Sequence, residues 1–428
     1  MKLVILDPGH FHAALLQKDM VADVDPDVHV YAPGGPDLDD YVRKIDAYNA
    51  RAAQPTHWRL HVHAGSDYLE RFAGERRGDV AVIAGNNARK TEYIERAVAA
   101  GFHTLADKPM AIDAAGFAGL ERAFAIASER GVLLYDIMTE RFEITSMLQK
   151  ALAHVPSVFG TLVTGTPDAP AVVKESVHHF AKLVSGTPVV RPAWFFDTAQ
   201  QGEGLVDITT HLVDLVQWAC FPGAVLDGRA DVAVHGARRW PTVLDAAQFA
   251  RVTQLPDYPG FLRKDVQRDG SLHVYANGEI DYAVRGVHAK VRVLWNYEAP
   301  AGAGDTHYSV MRGSRANLVI RQGEAQGWQP ALYVEPHRGA GDPDFGAALA
   351  AAVAALQPKH PGVGTRRSGD GWEITVPAAY HVGHEAHFGQ VADAFLGYVR
   401  AGALPDWEVP GMLAKYWTTT QALALARR

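Results

Sequence analysis

In the first 137 residues, short apolar runs alternate with stretches of helical periodicity, and no other feature of the chain constrains its fold as strongly. Leu3 to Leu6, Val28 to Tyr31, Asp79 to Ala84, His103 to Ala106 and Val132 to Asp136 are runs of strand length with little polar interruption. Strands of this kind are buried on both faces, which requires helices on either side of a sheet. Phe11 to Val21 and Ala114 to Ser128 read as helices, as does a segment that places Tyr93, Ile94, Ala97 and Val98 on one face. Gly101 stands where a helix C-terminal glycine belongs. Alternation of this type predicts right-handed crossovers and a doubly wound parallel sheet. The breaker run Pro33-Gly34-Gly35-Pro36 ends the second strand, and residues 37–75 read as an inserted helical excursion.

Beyond residue 137 the pattern changes. A helix is expected over Glu143 to Ala153, followed by Gly160 to Thr164 and a long stretch rich in Pro, His and Trp. Ser271 to Ala276, Glu279 to Val284, Lys290 to Asn296, Tyr308 to Met311 and Asn317 to Arg321 then read as strands, with Asn277-Gly278 as a hairpin turn between the first two. Helices near Ala386 to Arg400 and Pro410 to Ala426 close the chain. The expectation is therefore an α/β domain over 1–137 and an α+β domain with a mainly antiparallel open sheet over 138–428. A chain of 428 residues is long for a single core. An open sheet in such a domain is a natural subunit interface, so a homodimer or homotetramer is expected.

Several partners are disfavoured. The net charge is −7 with no basic block, which argues against nucleic acid. No apolar run approaches the roughly 20 residues of a membrane span. The apolar start at Leu3 to Leu6 is too short for a signal peptide, and the one cysteine, Cys220, lies in an apolar run that predicts a buried thiol. A cytoplasmic protein is expected.

Chemistry is expected at the carboxyl ends of the parallel strands. The first turn is Asp7-Pro8-Gly9-His10-Phe11-His12, where backbone amides and a helix N-terminus can receive a pyrophosphate, although the usual G-x-G-x-x-G is reduced to Gly9. Asp107-Lys108-Pro109 ends a later strand, and a lysine there can hold a hydroxyl or carbonyl oxygen. In Gly202 to Trp218, Asp207, His211 and Asp214 fall at i, i+4 and i+7, on one stripe of a helix that is otherwise largely apolar. Buried ionisable groups need partners or a ligand, and a histidine beside carboxylates suits proton transfer. A satisfied structural network accounts for the same stripe equally well.

Together these segments resemble the glucose–fructose oxidoreductase/inositol dehydrogenase family, Gfo/Idh/MocA. Ala100-Gly101-Phe102-His103-Thr104-Leu105-Ala106-Asp107-Lys108-Pro109 is similar to the family's A-G-K-H-V-L-x-E-K-P, with Asp107 in place of Glu. Asn87 matches the asparagine of its P-N loop, and Arg141-Phe142 its arginine-aromatic pair. Asp207, His211 and Asp214 match its D-x-G-x-H-x-x-D helix with Thr209 for Gly, and Met311 to Leu318 its late G-x-x-G-x-L strand. The resemblance implies a Rossmann domain that holds NAD, with NADP not excluded, through Asp7, Gly9, His10, Phe11, His12, Asn86, Asn87, Asp107 and Lys108. Asp37, after the second strand, is the candidate ribose carboxylate, and no arginine stands ready for a 2′-phosphate. It further implies that His211 takes the proton from a substrate hydroxyl and Lys108 steadies the oxygen, while Asp207 orients the histidine or contacts another hydroxyl.

The implied substrate is a sugar, glycoside or cyclitol oxidised at a secondary alcohol, with oxidation at C3 of a glucoside as one case. His179, Lys182, Arg191 and Trp194 pair aromatic surface with hydrogen-bonding groups and are candidate carbohydrate contacts. His381, His384, Glu385 and His387 suggest zinc, but their order is not H-E-x-x-H and they begin a helix, so no metal is expected. Two other functions use the same residues: a redox-neutral, NAD-dependent glycoside hydrolase and a non-catalytic dinucleotide-sensing regulator.

Overall fold

The computed structural model describes residues 1–184, 186–339 and 341–428. The chain opens with β1 (Leu3–Leu6), α1 (His12–Leu15), β2 (Asp27–Ala32), α2 (Pro36–Ala50), β3 (Arg59–Ala64), α3 (Tyr68–Glu75), β4 (Val80–Ile83), α4 (Asn87–Ala99), β5 (His103–Ala106), α5 (Ala114–Arg130) and β6 (Leu134–Asp136). The six strands form one parallel sheet in the order β3-β2-β1-β4-β5-β6. All residues of β1 and β4 are buried, which is why these strands read as unbroken apolar runs. Strand order reverses between β1 and β4, and the crevice beyond their carboxyl ends is where such sheets bind ligands.

Two local expectations change here. The first helix is the single turn His12–Leu15, not Phe11 to Val21. The Gln17 carbonyl accepts the Trp58 indole N–H at 2.8 Å, so it serves the packing of the following loop instead of a helix. Residues 37–75 are also not wholly helical, because β3 lies among them, paired in parallel with β2. As an edge strand, β3 keeps most of its side chains in solvent and shows no apolar run.

The chain continues with α6 (Ile144–Ala153), β7 (Val172–Ala181), β8 (Leu183–Val184), β9 (Thr187–Pro188), α7 (Thr198–Gln201), α8 (Thr209–Cys220), α9 (Gly228–Asp231), β10 (Val232–Leu244) and α10 (Ala246–Thr253). Next are β11 (Leu272–Val284), β12 (Val287–Glu298), β13 (Thr306–Arg312), β14 (Ala316–Arg321), β15 (Ala331–Pro336), α11 (Pro343–Leu356), β16 (Gly364–Ser368) and β17 (Gly371–Thr375), then α12 (His384–Ala401) and α13 (Glu408–Ala426). A second sheet of nine strands has the order β10-β11-β12-β7-β13-β14-β15-β17-β16. Its β12–β7 pair is parallel and the other pairs are antiparallel.

The Asn277-Gly278 hairpin does not form. β11 runs unbroken through it, and the chain reverses at Arg285-Gly286, where both φ angles are positive, +48° and +79°. Asn277 stands opposite a register shift between Trp240 and Thr242 of β10. Its amide donates to Trp240 O and Thr242 Oγ1, and its carbonyl oxygen accepts from Trp295 N, so it satisfies backbone groups that the irregularity disturbs. Gly278 is required by packing: a Cβ there would lie 2.6 Å from Leu205 Cδ2.

The chain forms two compact units, Met1–Thr139 with Gly383–Tyr416, and Glu140–Val382 with Trp417–Arg428. A boundary near 137 was expected, but α12 and the start of α13 group with the parallel sheet and not with the second half. The cause is a buried carboxylate at the end of β6. Asp136 Oδ2 lies 2.7 Å from Lys415 Nζ and accepts the Tyr416 hydroxyl at 2.8 Å, and Tyr135 stacks on Phe395. No helix among the described residues is long and apolar enough to cross a membrane.

Candidate functional site

In the first unit, the turn after β1 and the loop after β4 press against each other. A Cβ at Gly85, where φ is +127°, would lie 2.5 Å from Gly9 N, so the loop after β4 depends on glycine for this approach. Asp7 Oδ2 accepts from Asn86 Nδ2 at 3.1 Å and from the Tyr93 hydroxyl at 2.7 Å, which ties the two loops together. The Gly9 amide donates to Asp7 O and the His10 amide to Ala84 O. These two amides are committed to the turn, and α1 is one turn long, so the expected pyrophosphate seat on a long first helix is not present in that form. The Asp37 carboxylate, in the first turn of α2, lies beside Gly9, as a ribose contact requires.

The end of β5 contributes Asp107 and Lys108. Asp107 is buried, and its Oδ2 lies 2.9 Å from His12 Nδ1 and 3.5 Å from His10 Nδ1. Burial alone would raise this carboxyl's pKa, but His12, Lys90 and His10 hold it well below the usual carboxylate range. Lys90 is fully buried; its ammonium donates to Asn87 Oδ1 at 2.5 Å and, at 3.4 Å, to the Lys108 carbonyl. Asn87 therefore holds Lys90, which supports the backbone that presents Lys108. Phe11 is the exposed member of the turn, 44% accessible, with its ring against those of His10 and His12.

In the second unit, α8 carries His211 and Asp214, and Asp207 sits in the turn before it. Asp214 is bound on two sides by Arg141, through Nε to Oδ2 and Nη2 to Oδ1, each at 2.7 Å. Thr209 and Thr210 return their hydroxyls to the carbonyls of Gly204 and Val206. A Cβ at Gly204 would lie 2.0 Å from Ala276 O, so the turn before α8 is seated directly on β11. These contacts fix the helix that presents His211, which is 8% exposed. Asp207 accepts from Gln201 Nε2 at 3.3 Å and lines a small pocket with Phe180, Phe195, Val274 and Trp295.

The other candidate carbohydrate residues are placed differently. His179 and Lys182 gather on Asp305: Lys182 Nζ is 2.5 Å from Oδ2, His178 Nδ1 3.0 Å from the same oxygen, and His179 Nδ1 3.7 Å from Oδ1. Burial would raise the Asp305 carboxyl, but the two histidines and Lys182 hold it well below the carboxylate range. Arg191 donates to the carbonyls of His179 and Phe180 and lies over the rings of Phe195 and Trp295, with burial lowering its pKa to about 10. Its guanidinium serves the wall of the pocket. Trp194 is partly buried beside Phe195.

Residues 148–427 match the family model described as "Putative oxidoreductase C terminal domain". The chain belongs to that family. Among curated proteins none matches. A solved structure of a "putative oxidoreductase" from Parabacteroides merdae is 52% identical, covers 100% of this chain and 97% of its own, and has a TM-score of 0.97. More distant structures share the fold. Biliverdin reductase from Synechocystis, in complex with biliverdin and NADP+, has 13% identity, a TM-score of 0.59 and coverage of 100% and 99%. KijD10 from Actinomadura kijaniata, a 3-ketoreductase in complex with NADP and TDP-benzene, has 14% identity, a TM-score of 0.57 and coverage of 100% and 97%. The fold is that of the Gfo/Idh/MocA oxidoreductases, as the sequence resemblance implied.

Gly85 and Lys90 were not among the residues expected at the site. A signal for Lys90 is present, because it falls on the inward helical face with Asn87, Ile94 and Ala97, where a lysine has no solvent to reach. Gly85 carries no such signal, since a close approach between two loops exists only in three dimensions.

Proposed function

We propose that the protein is a nicotinamide-dependent oxidoreductase that transfers hydride between a secondary alcohol of a sugar, glycoside or cyclitol and the cofactor, with oxidation at C3 of a glucoside as one form. The observation that carries this reading is the loop pair at the β1/β4 crevice, where Gly9 and Gly85 approach within a Cβ's width and Asp37 lies alongside. A flat ligand edge can reach backbone there, and a carboxylate can accept from ribose hydroxyls. Asp37 supports NAD over NADP, although NADP is the cofactor in the biliverdin reductase and KijD10 complexes.

The bound cofactor would accept or supply the hydride. The remaining chemistry falls to this chain's side chains, in roles that follow the family resemblance. His211 accepts the hydroxyl proton in the oxidative direction. Lys108, on backbone steadied by Lys90, stabilises the substrate oxygen, and Asp207 accepts from a neighbouring hydroxyl. The aromatic pocket beside Asp207 suits the C–H face of a sugar ring. We further propose that the protein works in the cytoplasm as a homodimer or homotetramer, which light scattering on the purified protein measures directly.

The test is absorbance at the reduced-nicotinamide band with NAD or NADP and a panel of sugars, glycosides and inositols. A rise with one class, lost in both Lys108→Ala and His211→Ala while cofactor affinity stays near wild type, supports the reading. Release of an aglycone without net reduction would replace it with the redox-neutral hydrolase. Cofactor binding without turnover on any panel member would favour the regulator.

A further inference from the structure

The turn after β1 presents His10 and His12 one residue apart, and both face Asp107 at the end of β5. His12 Nδ1 and His10 Nδ1 lie 2.9 and 3.5 Å from the same oxygen, Asp107 Oδ2, and one donor atom from each of the three residues lies within 4.8 Å of the others. Donors about 2.0–2.1 Å from a tetrahedral zinc ion stand roughly 3.4 Å apart, so two of the three edges are near the size of a coordination polyhedron. A structural His12–Asp107 hydrogen bond would explain one of these contacts. It would not explain the second histidine, nor Asp107 Oδ1, which is buried with no hydrogen-bond partner among the described residues. A carboxylate oxygen left in that state is costly unless a cation or donor meets it.

The surroundings are consistent with a site. Asp107 is 3% exposed, while the His10 side chain is 22% accessible, which leaves an approach from one side. His10 Nδ1 accepts a long 3.3 Å contact from the His12 amide, which coordination would replace. The ring of His384, in the first turn of α12, stacks on that of His12 with centroids 5.0 Å apart. Lys90 and Lys108 add positive charge nearby and would lower affinity for a cation without blocking its place.

We propose that His10, His12 and Asp107 bind one divalent transition-metal ion of the zinc class, with His384 packed behind His12 as its support. Two imidazoles and one carboxylate suit zinc, cobalt or nickel better than magnesium or calcium. Three protein ligands leave a position open to an oxygen donor, as sites that contact a ligand do and purely structural zinc sites do not. Lys108 follows Asp107 directly, so an oxygen held near the metal lies close to the lysine. The proposal stands independently of the dinucleotide reading, because its test measures metal and not turnover.

The experiment uses the full-length protein, stripped with a chelator and titrated calorimetrically with zinc chloride and with cobalt chloride, with cobalt also followed by its visible absorption. One equivalent is expected, with affinity reduced about 100-fold or more in His12→Ala and in Asp107→Asn. The partly exposed cluster His29, His61 and His63 on β2 and β3 is the competing site. His61→Ala should therefore leave the first equivalent unchanged. Absence of binding by the wild type, loss of binding in His61→Ala, or unaltered binding in both ligand variants would overturn the proposal. Should the ligand variants misfold by circular dichroism, anomalous scattering at the metal edge from wild-type crystals decides the matter. A peak bonded to His10, His12 and Asp107 supports the site, and a peak elsewhere or none refutes it.

Discussion

Replacing Arg141 with Met isolates the contact that holds the His211 helix. Arg141 and Asp214 have side-chain exposures of 9% and 2% and share two charged hydrogen bonds of 2.7 Å. Removing the guanidinium leaves the Asp214 carboxylate in a desolvated place, which costs about 3–5 kcal/mol in comparable buried pairs. Replacing both residues, Arg141→Met with Asp214→Leu, removes the uncompensated charge together with the pair and should cost far less, near zero in favourable cases. The assay is urea unfolding followed through the transition of the second unit, because two units need not unfold together. With a slope of roughly 3 kcal/mol per molar urea, the single replacement should lower the midpoint by about 1 M or more, and the double replacement should recover most of that shift. A loss below about 1 kcal/mol for Arg141→Met would show that Asp214 does not depend on this pairing. A double variant less stable than the single would refute the desolvation argument itself.

Two further outcomes follow from buried groups elsewhere. Lys174, fully buried with hydrogen bonds to Ser309 Oγ and Gln149 Oε1, has its pKa lowered by desolvation from 10.5 to about 8, against smaller opposing influences of Cys220 and Glu143. Between those values the unfolded chain binds the extra proton, so the Lys174 contribution to stability should rise with pH from about 8 to 10.5, by at most about 3 kcal/mol. The Cys220 thiol, raised by burial from 9.0 to about 12, loses its proton in the unfolded chain first, so above about pH 9 it opposes the Lys174 contribution and confines the net rise to roughly pH 8–9. Lys174→Met should remove the rise, and identical pH slopes for variant and wild type in thermal unfolding would refute it. Gly85→Ala would force a Cβ to 2.5 Å from Gly9 N at a positive φ. Strain of about 1–3 kcal/mol at that loop corresponds to a cofactor dissociation constant about five- to 150-fold higher. Fluorescence titration with the reduced dinucleotide checks this, and an unchanged constant would remove the loop from the cofactor site.

The parallel sheet was legible because its strands are buried on both faces, which writes continuous apolar runs such as Leu3–Leu6 and Val80–Ile83 into the chain. The same logic hid β3, whose side chains meet solvent and leave no run to read. Asp107-Lys108-Pro109 and Asp207-x3-His211-x2-Asp214 were legible as local patterns, and the structure places them at a strand end and at a helix start. Which of these charges is paired was decided by residues far away in the chain: Arg141 for Asp214, 73 positions earlier, and His12 for Asp107, 95 positions earlier. Asn277-Gly278 shows the limit most clearly. As a dipeptide it specifies a turn, yet it becomes strand because Asn277 serves the irregularity in β10 and Gly278 lies against Leu205. Local propensity differs by only about 1 kcal/mol between such alternatives, whereas a buried unpaired backbone group or an overlapping Cβ costs as much or more. Sequence periodicity therefore determined the layers of the fold, and tertiary packing decided the pairings and the close approaches between loops on which the candidate site depends.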